Sequence, residues 1–393
     1  MAKRLCIVFL LLALVIVGAW AGGKQEAPAE QEAEKAAEQA PAEEDWDAIY
    51  EAAKKEGKVV IYSLSSRIFD VVESFKAEYP GIEVEASDMT GVQQIEKLTR
   101  EQSSGIYNVD VLFLANYPTL INELLPEGLI VNYVPEELVD GAKSVDVIPE
   151  QFREPLLVHS LESKVTFYNF ETYSECPVDT MWDLTRPEWR GKVQMKDPLM
   201  TEENMNFLQA IVQHSDAMAA AYEEEFGEPI ELSSGIENAG YELIKTLTEN
   251  DLVLTTSDGD AAKAVGAPNQ SDPPVTLSVA SSKLRYNDGK DTKLAVAWDM
   301  APSAGLTKRN FVVMANKAPH PNAAKLLIRW MLGNAEGGAG IEPFVVPGGW
   351  SSRSDVPPEA DIGLNELSEK TWFNDAEFIY KKGLQVRDFW MGM

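Results

Sequence analysis

The sequence predicts an α/β fold arranged as two lobes. Short apolar runs alternate with amphipathic helices along most of the chain, which is typical of a mostly parallel sheet covered by helices on both faces. A near-continuous apolar stretch at 155–168 leads into a second alternating set, as expected where strands cross from one lobe to the other. The 393 residues suffice for two cores, because single cores stop growing at roughly 250–300 residues.

The first lobe opens with a helix whose two ends the sequence marks. Asp45 can accept a hydrogen bond from the first turn, and Gly57 supplies the left-handed residue that ends a helix. Tyr79-Pro80-Gly81 should stop the second helix, because proline cannot continue it. The other predicted elements are strands at 58–64, 82–86 and 109–114, and helices around 69–75, at 93–101 and at 118–125.

The second set of elements follows the crossing strands. Asn322 is the predicted cap of the last helix and Gly333 its end. The predicted elements are crossing strands at 156–159 and 165–168, strands at 192–195, 252–255, 275–279, 293–298 and 310–315, and helices at 203–214, 236–248 and 322–332. We assign 45–155 with about 303–345 to lobe one, and 156–302 with about 346–393 to lobe two.

Residues 1–21 have the layout of a secretory signal peptide. Lys3 and Arg4 precede an apolar run at 5–17, and small residues around Trp20 predict cleavage after Ala21. The run is shorter than the ~20 residues that span a bilayer. Residues 22–44, rich in Ala, Glu, Gln and Pro, are predicted to be a disordered acidic linker. If the N-terminus stayed uncleaved, this linker would be a membrane tether.

Composition argues against several classes of function. With 34 Lys+Arg and 63 Asp+Glu the formal net charge is −29, so no nucleic-acid partner is expected. Two cysteines, Cys6 and Cys176, and three histidines make a disulfide scaffold or a Cys/His metal site improbable. No G-x-S-x-G, H-E-x-x-H or Walker lysine motif occurs, so neither an enzyme nor a cofactor is expected. A glycosidase with two distant carboxylates stays an alternative.

Five segments, in order, resemble extracytoplasmic substrate-binding proteins of ABC importers. The segments are 46–63, 75–82, 108–113, 182–193 and 318–327, and the likeness covers roughly 46–338. They are most similar to the ferric-iron-type branch, which also contains binders of sugar phosphates, phosphonates and other small anions. The resemblance implies a type II periplasmic-binding-protein fold that closes on a ligand between two lobes. It also implies a monomer outside the cytoplasm that delivers a small molecule to a membrane permease.

Candidate ligand-binding residues follow strands or open helices. Ligands of α/β sheets bind beyond the carboxyl ends of strands, where helix N-termini favour anions. Arg67 can hold a phosphate or carboxylate, Asp258 can accept from sugar hydroxyls, and Trp298 can stack on a sugar ring. Helix capping or core packing is the structural alternative for each. The candidates are Ser65, Ser66, Arg67, Asn116, Tyr117, Thr201, Asn204, Thr256, Ser257, Asp258 and Trp298.

The ligand is predicted to be a small oxyanion such as a sugar phosphate or phosphonate. Ferric-binding relatives carry adjacent tyrosines near 255–260, whereas this chain has Ser257 and Asp258 there and no tyrosine from 243 to 285. Fe(III) is therefore the alternative ligand. A binding protein coupled to a membrane sensor would share this fold. His159 and His320 are expected to be structural.

Overall fold

The computed structural model describes residues 44–393. The predicted signal peptide and all but the last residue of the predicted linker lie outside this range. Glu44 packs against the fold: its carboxylate accepts hydrogen bonds from Tyr133 Oη at 2.9 Å and Lys325 Nζ at 2.8 Å. Within 44–393 no helix combines the length and the apolar character needed to cross a membrane.

The strands form one large sheet and two small ones. In the large sheet the order is β10-β5-β12-β3-β1-β2, with β13 beside β5, and β4 and β14 beside β12. A small sheet has the order β8-β7-β9, and β6 pairs with β11. The strands are β1 Lys58–Ser63, β2 Glu83–Asp88, β3 Val111–Leu114, β4 Ile130–Val131, β5 Val158–Val165, β6 Phe167–Asn169, β7 Val193–Lys196, β8 Val253–Thr255, β9 Val275–Thr276, β10 Val279–Ala280, β11 Leu294–Val296, β12 Gly305–Ala315, β13 Gly349–Ser351 and β14 Trp372–Phe373.

Helices of eight or more residues within 44–393 are numbered in chain order. They are α1 Trp46–Glu56, α2 Ile68–Glu78, α3 Gly91–Ser103, α4 Glu202–Gln213, α5 Ser215–Phe226, α6 Ala239–Glu249, α7 Asp258–Gly266, α8 Pro321–Met331 and α9 Ala376–Met391. Shorter α-helical segments are Tyr117–Thr119, Ser144–Val147, Glu150–Arg153, Tyr286–Gly289 and Leu364–Lys370, and a π-helix spans Leu120–Leu124. Single 3₁₀ turns complete the helical content, including Ser281–Arg285.

The large sheet is mixed, so the prediction of a mostly parallel sheet is wrong for it. Strands β1, β2 and β3 are parallel neighbours. The long strand β12 then runs antiparallel to both β3 and β5. It does so because β5 and β12 are the two crossing strands and pass between the two halves of the molecule in opposite directions. The small sheet of β7, β8 and β9 is wholly parallel.

Two large apolar cores lie at the two ends of the crossing strands. The first is built on β1, β3, α2 and α8, and it also contains Trp350 and Leu367. The second is built on β7, α4 and α6, and it includes Val386 from α9. A smaller cluster joins Val165 of β5 to the apolar face of α7. The lobe boundaries given above stay a prediction.

Several helix ends behave as the sequence predicts, and one does not. Asp45 Oδ1 accepts the Ala48 N–H at 3.0 Å, and Gly57 ends α1 with a φ of 79°. The prediction that Asn322 caps α8 is wrong, because this helix begins one residue earlier, at Pro321. The carboxylate of Glu56 instead accepts the backbone N–H groups of Asn322 and Ala323. A residue distant in sequence thus caps this helix.

Candidate functional site

A cleft of about 460 Å³ lies where the crossing strands meet the starts of three helices. Its walls include the residues just before α2, the first residues of α4 and of α7, and the 3₁₀ turn Ser281–Arg285. Helix N-termini carry unpaired N–H groups and a positive partial charge. Their convergence favours a negatively charged occupant.

Five of the predicted ligand-binding residues line this cleft. They are Ser65, Ser66, Arg67, Thr201 and Asp258. The turn that carries the first three is fixed by Ser63, whose hydroxyl donates to the Ser65 carbonyl at 2.8 Å and accepts the Ser65 N–H at 3.1 Å. This turn places the serines and Arg67 at the cleft wall before α2 begins. Their role in binding stays a prediction.

Three other candidates lie outside the cleft lining. Asn116 Nδ2 donates to Glu202 Oε2 at 2.7 Å. The Tyr117 ring stacks on Phe311 with centroids 5.3 Å apart. Trp298 packs edge-to-face on Trp350 at 6.0 Å. In this structure the rings of Tyr117 and Trp298 pack against other aromatic rings, which agrees with the core-packing alternative given above.

The remaining three candidates have polar groups engaged within the protein. Asn204 is fully buried, accepts from Lys164 Nζ and Thr201 Oγ1 at 2.9 Å each, and donates to the Ser278 carbonyl. Ser257 caps α7, because its hydroxyl accepts the Asp260 N–H at 3.0 Å. Thr256 Oγ1 lies 3.4 Å from Asp260 Oδ2. Asn204 therefore positions Lys164, and the Ser257 hydroxyl caps the N-terminus of α7.

Sequence reasoning missed most of the charge in the cleft. Five further cationic side chains line it together with Arg67, and two further carboxylates line it together with Asp258. These residues are Lys164, Lys196, Lys283, Arg285 and Lys308, with Glu162 and Glu203. For Glu162 and Lys164 a signal existed: they lie at alternate positions between the predicted crossing strands at 156–159 and 165–168. Lys308 lies just before the strand predicted at 310–315.

The lysines of the crossing strands are paired with carboxylates. Lys164 Nζ lies 2.8 Å from Asp258 Oδ2. Lys308 Nζ lies 3.7 Å from Glu162 Oε2 and 3.8 Å from Glu203 Oε1. We call Lys164, Lys308 and their three carboxylates the paired group. They come from both crossing strands and from the first residues of α4 and α7.

Burial and charge compete within the paired group. Burial lowers the pKa of Lys164 below its ordinary value, although Asp258 opposes the shift. Burial would also lower the pKa of Lys308, but Glu162 and Glu203 raise it above the ordinary value. Burial would raise the pKa of Glu203, but Lys308 and Lys164 hold it below its usual range. Lys308 and Glu203 therefore each stabilise the charged form of the other.

Four other cations line the cleft without an anionic partner. Arg67, Lys196, Lys283 and Arg285 take part in no ion pair within residues 44–393, and we call them the unpaired group. Burial lowers the pKa of Arg67, Glu162 opposes the shift, and the nearby Arg285 adds to it. Arg67 also lies over the Phe344 ring at 5.7 Å. The cleft thus has an excess of positive charge in an acidic protein.

Tyr286 lies close to Asp258 in the structure. A Cβ added at Gly259 would come 2.9 Å from the Tyr286 hydroxyl, so the phenol lies against the start of α7. Burial would raise the pKa of Tyr286, but the nearby cations Lys283, Lys290 and Arg285 lower it. Within 44–393 no tyrosine lines the cleft, and no three His, Cys, Asp or Glu side chains converge to hold a metal.

Comparison with solved structures shows the same two-lobed type II fold. Iron-bound HitA from Pseudomonas aeruginosa superposes with a TM-score of 0.61 at 15% identity, covering 85% of this chain and 98% of that one. A putative extracellular solute-binding protein from Bordetella parapertussis gives 0.62 at 11% identity, covering 86% and 99%. The Trichodesmium protein IdiA (FutA), with iron and citrate, gives 0.57 at 17% identity, covering 85% and 98%.

At these low sequence identities, the solved structures support a conclusion about the fold of this chain only. No curated protein matches the chain. A sequence model of the family described as bacterial extracellular solute-binding protein matches residues 70–340, which is more than half of the chain and spans both crossing strands and the cleft residues other than those at 64–67. The chain therefore belongs to the bacterial extracellular solute-binding protein family.

Proposed function

We propose that this protein binds a small oxyanion, such as a sugar phosphate or a phosphonate, in the cleft and delivers it to an ABC transporter permease. The supporting observation is the unpaired group. Four cations face one cleft without an anionic partner in the described part of a chain whose formal charge is −29. A ligand anion would supply the missing charge. The protein would act outside the cytoplasm, as its family does.

The hydroxyls and helix N-termini of the cleft suit the same ligand class. Ser65, Ser66 and Ser282 line the cleft beside the cations. Serine hydroxyls donate to oxyanions, and helix N-termini add backbone N–H groups with positive partial charge. A ligand that touches both lobes would shift the population toward the closed form, which is the form a permease would recognise.

Fe(III) is the second candidate ligand, and the names of the structural neighbours favour it over the oxyanion. HitA is described as iron-bound, and the Trichodesmium protein as holding iron and citrate. The charges of this cleft favour the oxyanion, because Fe(III) prefers anionic oxygen ligands and is repelled by cations. Iron held by an anionic chelator would satisfy both observations, since the chelator's oxygens would meet the unpaired group.

A ligand panel on the purified protein separates these candidates. Carried-over ligand is removed by unfolding and refolding, and thermal unfolding is then followed with phosphate, sugar phosphates, phosphonates, citrate, ferric citrate and Fe(III). A ligand at 100 times its Kd stabilises the folded protein by about 2.7 kcal/mol. Stabilisation by phosphorylated compounds supports the proposal. Stabilisation only by ferric citrate or Fe(III) overturns it in favour of iron transport.

A secreted glycosidase-like hydrolase is the alternative from another class, and the paired group argues against it. A glycosidase needs one carboxyl that stays protonated as the general acid. Each of the three cleft carboxylates instead lies beside a lysine. Conversion of a bound glycoside to product would overturn the binding-protein proposal. Ligand uptake with the cognate permease in proteoliposomes distinguishes transport from coupling to a sensor.

A further inference from the structure

One oxygen of Asp258 lacks a hydrogen-bond partner although it is buried at the cleft. Asp258 Oδ2 accepts from Lys164 Nζ at 2.8 Å. Asp258 Oδ1 has no partner within residues 44–393 and almost no exposed surface. A buried carboxylate oxygen without a donor is unfavourable, and its retention points to a donor that arrives from elsewhere. Asp258 lines the cleft, so a turn of its carboxylate toward the cleft would bring Oδ1 to a donor on the ligand.

We infer that the ligand carries a hydroxyl group as well as an anionic group. The anionic group would bind among Arg67, Lys196, Lys283 and Arg285, and the hydroxyl would donate to Asp258 Oδ1. This inference rests on the proposed function and narrows it. It selects hydroxylated anions, such as polyol or sugar phosphates and hydroxycarboxylates, over inorganic phosphate and over phosphonates without a hydroxyl.

The charges around Asp258 identify the donor as neutral. An anionic group of the ligand is repelled by the Asp258 carboxylate, so the anion and the group at Asp258 must be different parts of the ligand. A ligand ammonium would donate to Asp258, but it would meet Lys164 on the same carboxylate and the unpaired cations nearby. A hydroxyl donates without adding charge.

A second orphan group lies in the same cleft lining. Ser163 is 1% exposed, lines the cleft, and its hydroxyl has no partner within residues 44–393. Its backbone N–H is held by Ser281 Oγ at 2.9 Å, so the residue is fixed in place. A serine hydroxyl can donate or accept. Successive residues of a strand face opposite sides of the sheet, so the Ser163 hydroxyl lies on the face away from the Lys164 side chain, and the inference rests on Asp258 alone.

Matched ligand pairs test the inference by calorimetric titration of the ligand-stripped protein. Glycerol 3-phosphate is compared with n-propyl phosphate, and citrate with propane-1,2,3-tricarboxylate, so that each pair differs in hydroxyl groups at equal anionic group. We expect the hydroxylated member of a pair to bind at least about tenfold more tightly, because the analogue leaves a buried acceptor unpaired. Glycerol alone should not bind, because it offers no anion.

The outcomes separate this inference from the proposed function. Equal affinities within a pair, or tighter binding of the member without the hydroxyl, overturn the inference and leave oxyanion binding intact. Binding of none of the four anions, together with no stabilisation by the phosphorylated compounds of the ligand panel, overturns both. A preference for the hydroxylated member in either pair supports the inference and identifies whether phosphate or carboxylate is the anionic group.

Variants assign the preference to Asp258. Asp258→Ala should reduce the ratio within a pair to about one, because it removes both carboxylate oxygens and leaves no polar group for the ligand hydroxyl. If that variant unfolds, Asp258→Ala combined with Lys164→Met removes both charges of the pair and keeps the test available. The matched control is Arg67→Gln, which should weaken both members of a pair equally and keep their ratio. An unchanged ratio in a folded Asp258 variant overturns the inference.

Discussion

The two groups of cations in the cleft differ in their partners. Lys164 and Lys308 belong to the crossing strands and have carboxylates within 4 Å. Arg67, Lys196, Lys283 and Arg285 lie on loops and strand ends without such partners. A buried charge needs a partner to be tolerated, whereas a cleft cation can be hydrated until a ligand binds. The paired group should therefore matter for stability, and the unpaired group for affinity.

The largest effect is expected from breaking a buried pair. Lys164→Met leaves the Asp258 carboxylate without its cation and Asn204 Oδ1 without a donor. We expect the free energy of unfolding to fall by about 3 to 5 kcal/mol, as for other buried pairs that lose one partner. Urea unfolding measures it. The double variant Lys164→Met with Asp258→Asn should recover part of the loss, and a double variant no more stable than the single one would contradict this explanation.

A buried histidine without a counterion provides the contrast to the paired group. His159 is buried between Phe113 and Phe344, with Nε2 donating to the Met331 carbonyl at 2.9 Å. Burial lowers the pKa of His159 to about 4. The unfolded state therefore binds more protons between pH 6.5 and 4, and the stability that neutral His159 contributes is lost as the pH falls through this range.

The size of this pH effect follows from the shift. A fall in the pKa of His159 from about 6.5 to about 4 corresponds to roughly 3 kcal/mol in the free energy of unfolding. Unfolding free energies between pH 7 and 4, measured for the wild type and for His159→Gln, isolate this contribution. The wild type should lose more stability than the variant over that range. Parallel curves for the two proteins would show that His159 does not titrate in this way.

Substitutions in the unpaired group should separate affinity from stability. Arg67→Gln and Arg285→Gln are expected to change the free energy of unfolding by less than about 0.5 kcal/mol, because neither side chain forms an ion pair with another of residues 44–393. Each should weaken binding of the anionic ligand by about 2 kcal/mol, or roughly 30-fold, at low salt. Calorimetry and urea unfolding on the same variants give both numbers. Destabilisation without a change in affinity would reverse the assignment of roles.

The sequence was sufficient for the features that depend on neighbours in the chain. Asp45 marks the start of α1 and Gly57 marks its end, as predicted. The turn with Ser65 and Arg67 follows a strand and lies at the cleft. Ser257 was read as a donor to ligand, although its hydroxyl caps α7. Sequence position alone cannot tell whether a hydroxyl at a helix start serves the helix or a ligand.

Features that depend on tertiary contact were missed. Lys164 and Lys308 lie just outside the strands predicted at 165–168 and 310–315. They become cleft residues because β5 and β12 are longer than predicted and adjacent, with Glu162 opposite Lys308. Lys283 and Arg285 follow the short strand β10, of which only Val279 lies in the strand predicted at 275–279. Ser278, at a φ of 58°, lies between β9 and β10 and interrupts the predicted strand.

The smallest effect is expected at the contact between Asn116 and Glu202. Asn116 follows β3 and donates to the first residue of α4 at 2.7 Å, so this bond joins elements of the two apolar cores. Asn116 is held closely, because a Cβ added at Gly91 would come within 1.7 Å of its Oδ1. Such a bond would favour the closed arrangement whether or not ligand is present.

Asn116→Asp tests this contact, because it replaces the donor with a carboxylate that faces Glu202. We expect ligand affinity to fall by about 1 kcal/mol, or roughly fivefold, and the radius of gyration without ligand to increase in small-angle scattering. Glu202→Gln is the matched control, since its amide oxygen still accepts from Asn116 and should leave both quantities near the wild-type values. If Asn116→Asp binds ligand as tightly as the wild type, closure depends on the ligand and the unpaired group alone.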